Sequence, residues 1–157
     1  MSTLDFTRYV VAVSPPTVHG TYYVGVRAVT ESQKAKSRIS TPVGGNLYAA
    51  RVSSVLHGLR VTDPSKVVTL LLEDDLAEHA NHDVRKWEAA NWRKSSGDPV
   101  AQATKWRAIL RHLRRRDVII KHVSAATPAD SRELARLRQD LMSKVRPSRS
   151  WDSRRAA

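Results

Sequence analysis

Three groups of residues in this chain carry side chains suited to chemistry. The first is the acid run Glu73-Asp74-Asp75. Carboxylates are the ligands that hard divalent cations need. The plainer reading is electrostatic: acids favour the start of a helix. The second group is Arg85-Lys86-Trp87, then Asn91-Trp92-Arg93-Lys94, Gln102 and Trp106. Indole faces pack on sugars or bases, and neighbouring Arg and Lys neutralise phosphate. The plainer reading here is that the tryptophans pack on one another. It is preferred for Trp106, while Trp92, beside Arg93-Lys94, is expected to make contact. The third group is His79 and His82, three apart, with no Cys anywhere in the chain to join them. A solvated helix face explains them better than a metal site. His122 reads as a satisfied sheet histidine. Ser14 has no identifiable base, and Gly44-Gly45 lacks the Lys-Ser/Thr of a phosphate loop.

Charge supports the second group. The 157 residues carry 27 Lys+Arg against 15 Asp+Glu, a net charge of +12. Residues 1–80 hold 8 basic and 7 acidic side chains; residues 81–157 hold 19 and 8. Arg outnumbers Lys 19 to 8, and its planar fork matches phosphate. A one-sided basic surface is the footprint of a polyanion binder. No apolar run is long enough to span a bilayer. The absence of Cys and of a signal-like start makes the cytoplasm the expected setting.

The elements that must position these groups follow from patterning. Phe6–Val13 is apolar in both alternating sets, so it is expected to be a central strand buried on both faces. Thr21–Val29 is a second strand. Ser32–Ser40 is a polar edge strand with Lys34, Lys36 and Arg38 on one side. After Gly44-Gly45 a helix runs to about Leu59, where Gly58 frays it. Val67–Leu72 reads as a buried parallel strand. Asp98-Pro99 is expected to start a helix that carries Ala103, Trp106, Leu110 and Leu113 and ends at Arg114-Arg115-Arg116. Val118–Val123 is the last strand. Thr127-Pro128-Ala129-Asp130 caps a final helix with Leu134, Leu137, Leu141 and Val145. The expected organisation is a domain over 1–145 and a flexible basic tail over 146–157. The fold class is α/β: a mixed five-stranded sheet, three antiparallel strands then two parallel ones, flanked by helices.

This element order resembles type 1 ribonuclease H. The resemblance extends to Trp87, Trp92, Arg93, Lys94, Pro99, Val100, Gln102 and Trp106, which are similar to that family's basic helical protrusion. It covers roughly residues 6–143. It implies a nucleic-acid surface formed by Arg85, Lys86, Trp87, Asn91, Trp92, Arg93, Lys94 and Gln102.

The family's hydrolytic chemistry uses two divalent ions about 4 Å apart. The resemblance implies four carboxylate places for them. At the first, this chain reads Ala12-Val13-Ser14. At the second, the register puts Tyr48, and no acid occurs between Pro42 and Leu59 in any register. Glu73, with Asp74 beside it, fills the third. The fourth falls on Arg132, Glu133 or Leu134, with Asp130 read as a cap. The family's mobile-loop histidine has no clear counterpart in Ser124-Ala125-Ala126-Thr127.

The expectation is therefore a non-catalytic module without a metal, binding RNA–DNA hybrid or double-stranded RNA. One alternative is an active enzyme using Mg or Mn on rearranged acids (Glu73, Asp74 or Asp75 with Asp130 or Glu133). Another is a protein-interaction scaffold within a nucleoprotein complex.

Overall fold

The computed structural model describes residues 4–32 and 35–146. Lys34 of the expected edge strand and residues 147–157 of the expected tail lie outside them.

Five strands, β1 (Arg8–Val13), β2 (Val24–Ala28), β3 (Arg38–Ile39), β4 (Val68–Leu72) and β5 (Val118–His122), form one sheet in the order β3-β2-β1-β4-β5. The β1–β2 and β2–β3 pairs are antiparallel; β1–β4 and β4–β5 are parallel. This is the mixed sheet expected from the sequence. The helices are α1 (Leu47–Val61), α2 (Leu76–Glu78), α3 (Val84–Ala89), α4 (Ala103–Arg115) and α5 (Pro128–Val145). A π-helical turn at His79–Asp83 joins α2 to α3.

The central strand is buried on both faces because its two side-chain sets enter two different cores. Tyr9 and Val11 join β4, α1 and α4 in the larger core, around Leu59, Leu70 and Trp106. Val10 and Ala12 join Leu71 and α5, through Leu134, Leu137 and Leu141, in the smaller one. Burial of each such aliphatic side chain contributes about 1.5–3 kcal/mol.

Glycine sets how closely the helices approach. Gly58 does not fray α1: it is buried inside the helix, where an added Cβ would stand 3.2 Å from Leu70 Cδ1 and 3.6 Å from Val11 Cγ2. On the other face, a Cβ at Gly25 would stand 2.7 Å from Leu137 Cδ1.

Caps explain the helix starts. Asn46 Oδ1 accepts from the Ala49 N–H at 2.8 Å to begin α1. Thr127 and Asp130 form the expected capping box at α5, with Pro128 in the first turn. The start expected at Asp98-Pro99 is corrected. Lys94 N–H bonds Asp98 O at 2.8 Å and Gly97 N–H bonds Lys94 O at 2.9 Å, closing a tight turn with Gly97 at φ +89°. Arg93 and Pro99 then pair as an antiparallel bridge, and α4 begins only after Gln102 at φ 60°. Pro99 has no N–H to lose on such an edge, so it suits the bridge as well as a first helical position. The edge strand expected over Ser32–Ser40 is corrected to the two residues of β3.

Candidate functional site

Where β1 and β4 end side by side, Val11 pairs with Leu72, which sets Ala12 beside Glu73. A cleft of about 150 Å³ opens there, lined by Ala12, Val13, Leu47, Arg51, Glu73 and Asp74. Beside it lies a wider, mostly apolar depression with Pro15, Pro16, Tyr22, Leu141 and Met142, which shares Glu73 and adds Arg138.

Each acid here meets a guanidinium. Arg138, projecting from α5, donates to Glu73 Oε2. Arg51, one turn into α1, lies 4.0 Å from Asp74. Burial pushes the Asp74 carboxyl above its ordinary range, against the pull of the Leu76 N–H and Arg51. Arg138 is held above its usual value by its bond to Glu73.

The remaining expected places hold no ligand. Ala12 is buried against α5. The Ser14 hydroxyl is satisfied by backbone, donating to Pro15 O at 2.8 Å and accepting from the Tyr23 N–H at 2.9 Å. Tyr48 does not face the cleft as the expected register had it. Leu47 and Arg51 do, and the Tyr48 hydroxyl turns away to accept from Trp106 Nε1 at 3.1 Å.

The acids of α5 point to the other end of β1. Asp130 accepts two bonds of 2.7 Å from Arg8, and that fork, aided by the Thr127 cap, holds its carboxyl down at about 2. Glu133 is fully buried and takes Arg27 at 3.0 Å, Arg132 at 2.7 Å and Arg136 at 3.2 Å. Burial alone would push Glu133 up; the bonds from Arg132 and Arg27 and the charge of Arg136 bring it below the usual range.

A pair of divalent ions needs several oxygen ligands converging on one point. At this cleft β1 offers none, α1 offers Arg51, and α5 offers Arg138. Among the described residues no cluster of three or more His, Asp and Glu is placed to hold a metal. The donor set does not fit a two-ion centre. Nothing in the pattern of the sequence marks Arg51 or Arg138 as partners of these acids. Arg51 shows only its place one turn after Leu47; Arg138, 65 residues from Glu73, gives no local signal.

The Trp-containing segment begins within α3 and continues past its end. Arg85, Lys86, Asn91, Arg93 and Lys94 are exposed, while Trp87 and Gln102 are half-buried. Trp87 stacks 5.2 Å from the His79 ring and 5.7 Å, edge-on, from Trp106. His79 also bonds Asp83 at 2.7 Å, so it braces this cluster. Trp106 is fully buried, as expected.

Trp92 is corrected: it is 8% exposed and part of the larger core, with the Arg107 guanidinium 5.4 Å from its ring centre. Asn91 and Trp92 both take positive φ (55° and 62°), a turn that carries the indole inward. The Trp92 carbonyl accepts from the Val100 N–H at 2.9 Å, which fixes that turn. His122 Nδ1 accepts from the Ser124 N–H at 3.0 Å, a structural role.

No protein-family model and no curated protein sequence matches the chain. Solved structures do. A foamy viral protease–reverse transcriptase, in complex with double-stranded DNA, aligns with a TM-score of 0.67 at 17% identity, over 89% of this chain and 94% of that one. The RNase H domain of prototype foamy virus in solution gives 0.61 at 17% identity, over 85% and 88%. LC9-RNase H1, a type 1 RNase H with a type 2 active-site motif, gives 0.57 at 12% identity, over 85% and 72%. At such identities the likeness is one of architecture, and with the strand order above it establishes a ribonuclease H-like fold for this chain.

Proposed function

We propose that the protein is a non-catalytic ribonuclease H-like module that grips RNA–DNA hybrid or double-stranded RNA. The gripping surface is Arg85, Lys86, Trp87, Asn91, Arg93, Lys94 and Gln102. The observation that carries the loss of catalysis is the pairing of Glu73 with Arg138 and of Asp74 with Arg51. Hydrolysis would need cations between those acids and others on β1, α1 and α5. The chain supplies two guanidinium groups instead, and their charge repels a divalent ion. Binding is supported by the excess of cations after residue 80 and by their exposure around Trp87. It is also supported by the foamy viral enzyme of similar fold, known with RNA/DNA hybrid and with double-stranded DNA. Shape and 2′-hydroxyl contacts would favour A-form duplexes over B-form DNA.

A labelled hybrid incubated with the protein and Mg²⁺ or Mn²⁺ tests the first half. No cleavage is expected; metal-dependent cleavage that Glu73→Gln abolishes overturns it. A gel-shift series tests the second half, with tighter binding expected for hybrid or double-stranded RNA than for double-stranded DNA. Equal, weak affinity for all three would leave only nonspecific charge. The second reading, an enzyme with rearranged acids, is favoured by the place of Asp74 in the cleft beside Glu73, where burial pushes its carboxyl above the ordinary range.

A further inference from the structure

The helix α4 presents more cations than the fold uses. Its apolar side, with Trp106, Ile109 and Leu110, is buried. Its opposite side carries Arg107, Arg111, Arg114 and Arg115, within about 100° of one another at 100° per residue. The closing run Arg114-Arg115-Arg116 divides by task. Arg114 forks onto Glu88 and ties α4 to α3. Arg116 is buried and donates to Leu59 O at 2.7 Å, Thr62 Oγ1 at 2.9 Å and Asp63 O at 3.0 Å, closing the end of α1.

Arg115 does neither. With Arg111, His112 and Arg60 of α1 it lines a depression of about 190 Å³, completed by Ala108. No carboxylate lines it. Arg60, Arg111 and Arg115 are exposed, and their side chains make no hydrogen bond or ion pair among the described residues. Burial, then the surrounding charges of Arg116, Arg60, Arg115 and Arg111, hold the His112 imidazole below its usual pKa. Three guanidinium groups, those of Arg60, Arg111 and Arg115, line a depression beside one imidazole with no carboxylate among them, an arrangement that an anion completes.

We infer that the depression formed by Arg60, Arg111, His112 and Arg115 is a second phosphate-binding site, and that a nucleic-acid strand runs onto it along α4 from the Trp87–Lys94 surface. Arg107, over Trp92, links the two. From Arg107 to Arg115 the helix rises about 12 Å, enough to follow two or three successive phosphates of one strand. This path leads over α1 and α4, away from the Glu73 cleft. The inference rests on the nucleic-acid reading above and gives it a direction and a footprint.

The test is fluorescence anisotropy with a labelled RNA–DNA hybrid across a salt series, using the full chain. In the variant Arg60→Gln/Arg111→Gln/Arg115→Gln, affinity should fall roughly ten- to hundredfold at moderate salt. The log–log salt slope should flatten by roughly 2–3, about one unit per lost phosphate contact. The single variant Arg111→Gln should lose about one unit of slope. A companion variant, Arg85→Gln/Lys86→Gln/Lys94→Gln, reports on the other surface. A full salt slope in the first triple variant, with binding lost only in the companion, overturns the second site and leaves the nucleic-acid reading standing. Absence of binding by the unaltered protein overturns both. A readout in the unaltered protein is the His112 imidazole, followed by NMR titration. Its pKa should rise when hybrid is bound, and an unchanged value at saturation overturns the inference.

Discussion

The two ends of α5 treat carboxylates in opposite ways. At the end near Arg8, Asp130 and Glu133 are buried, and each accepts several bonds from arginine. At the end near the cleft, Glu73 is partly exposed and meets a single arginine, Arg138, itself more than half exposed. The first arrangement is structural: a buried acid with its partners in place is costly to disturb from either side. The second is a surface pair of little energetic consequence. An acid's place in a ribonuclease H-like fold therefore does not reveal its task. Here Asp130 and Glu133 hold the sheet to the helix, while Glu73 at the cleft holds only an exposed arginine.

The sharpest way to break this contrast is Glu133→Ala. It should destabilise the protein by about 3 kcal/mol in urea unfolding, because Arg27, only 11% exposed, loses its buried partner. A loss under about 1 kcal/mol would make the two ends alike. Next is acid. Asp130, held at about 2 against an ordinary 3.8, has a depressed folded-state pKa. Its contribution is therefore complete above about pH 5 and lost as pH falls through about 2. It should amount to about 2 kcal/mol in unfolding free energy measured across that window, and Asp130→Asn should abolish the pH dependence it causes.

Smaller still is Tyr48→Phe, which removes the acceptor of the buried Trp106 N–H and should cost about 1–2 kcal/mol in thermal unfolding. The smallest effect belongs to the cleft. Glu73→Gln should change stability by less than about 0.5 kcal/mol and leave hybrid affinity unaltered in a gel shift.

Part of this was legible in the sequence, for physical reasons. A strand apolar in both alternations, as over Tyr9–Ala12, has nowhere to go but the middle of a covered sheet. The Thr127–Asp130 box announces its helix because the cap is made within four residues. The want of acids from Pro42 to Leu59 holds in any register. What stayed hidden depends on contacts across the chain or on backbone angles. The Asp98-Pro99 signal was outweighed by the Lys94–Gly97 turn and the bridge behind it. The inward turn of Trp92 follows from two positive φ angles that neither Asn91 nor Trp92 demands by type. Gly58 looked like a helix stop because its use, letting Leu70 and Val11 come close, is visible only in three dimensions. The Glu73–Arg138 and Arg27–Glu133 pairs join residues more than sixty positions apart.

One consequence of Arg116 concerns how this surface meets a ligand. By bonding the Leu59 carbonyl in the last turn of α1 and the Asp63 carbonyl just past it, its guanidinium ties the end of α4 to the end of α1. Arg60 and Arg115 ride on those two helices, so their spacing is set when the chain folds. An arriving strand would have to order the exposed guanidinium ends, but not the two helices that carry them.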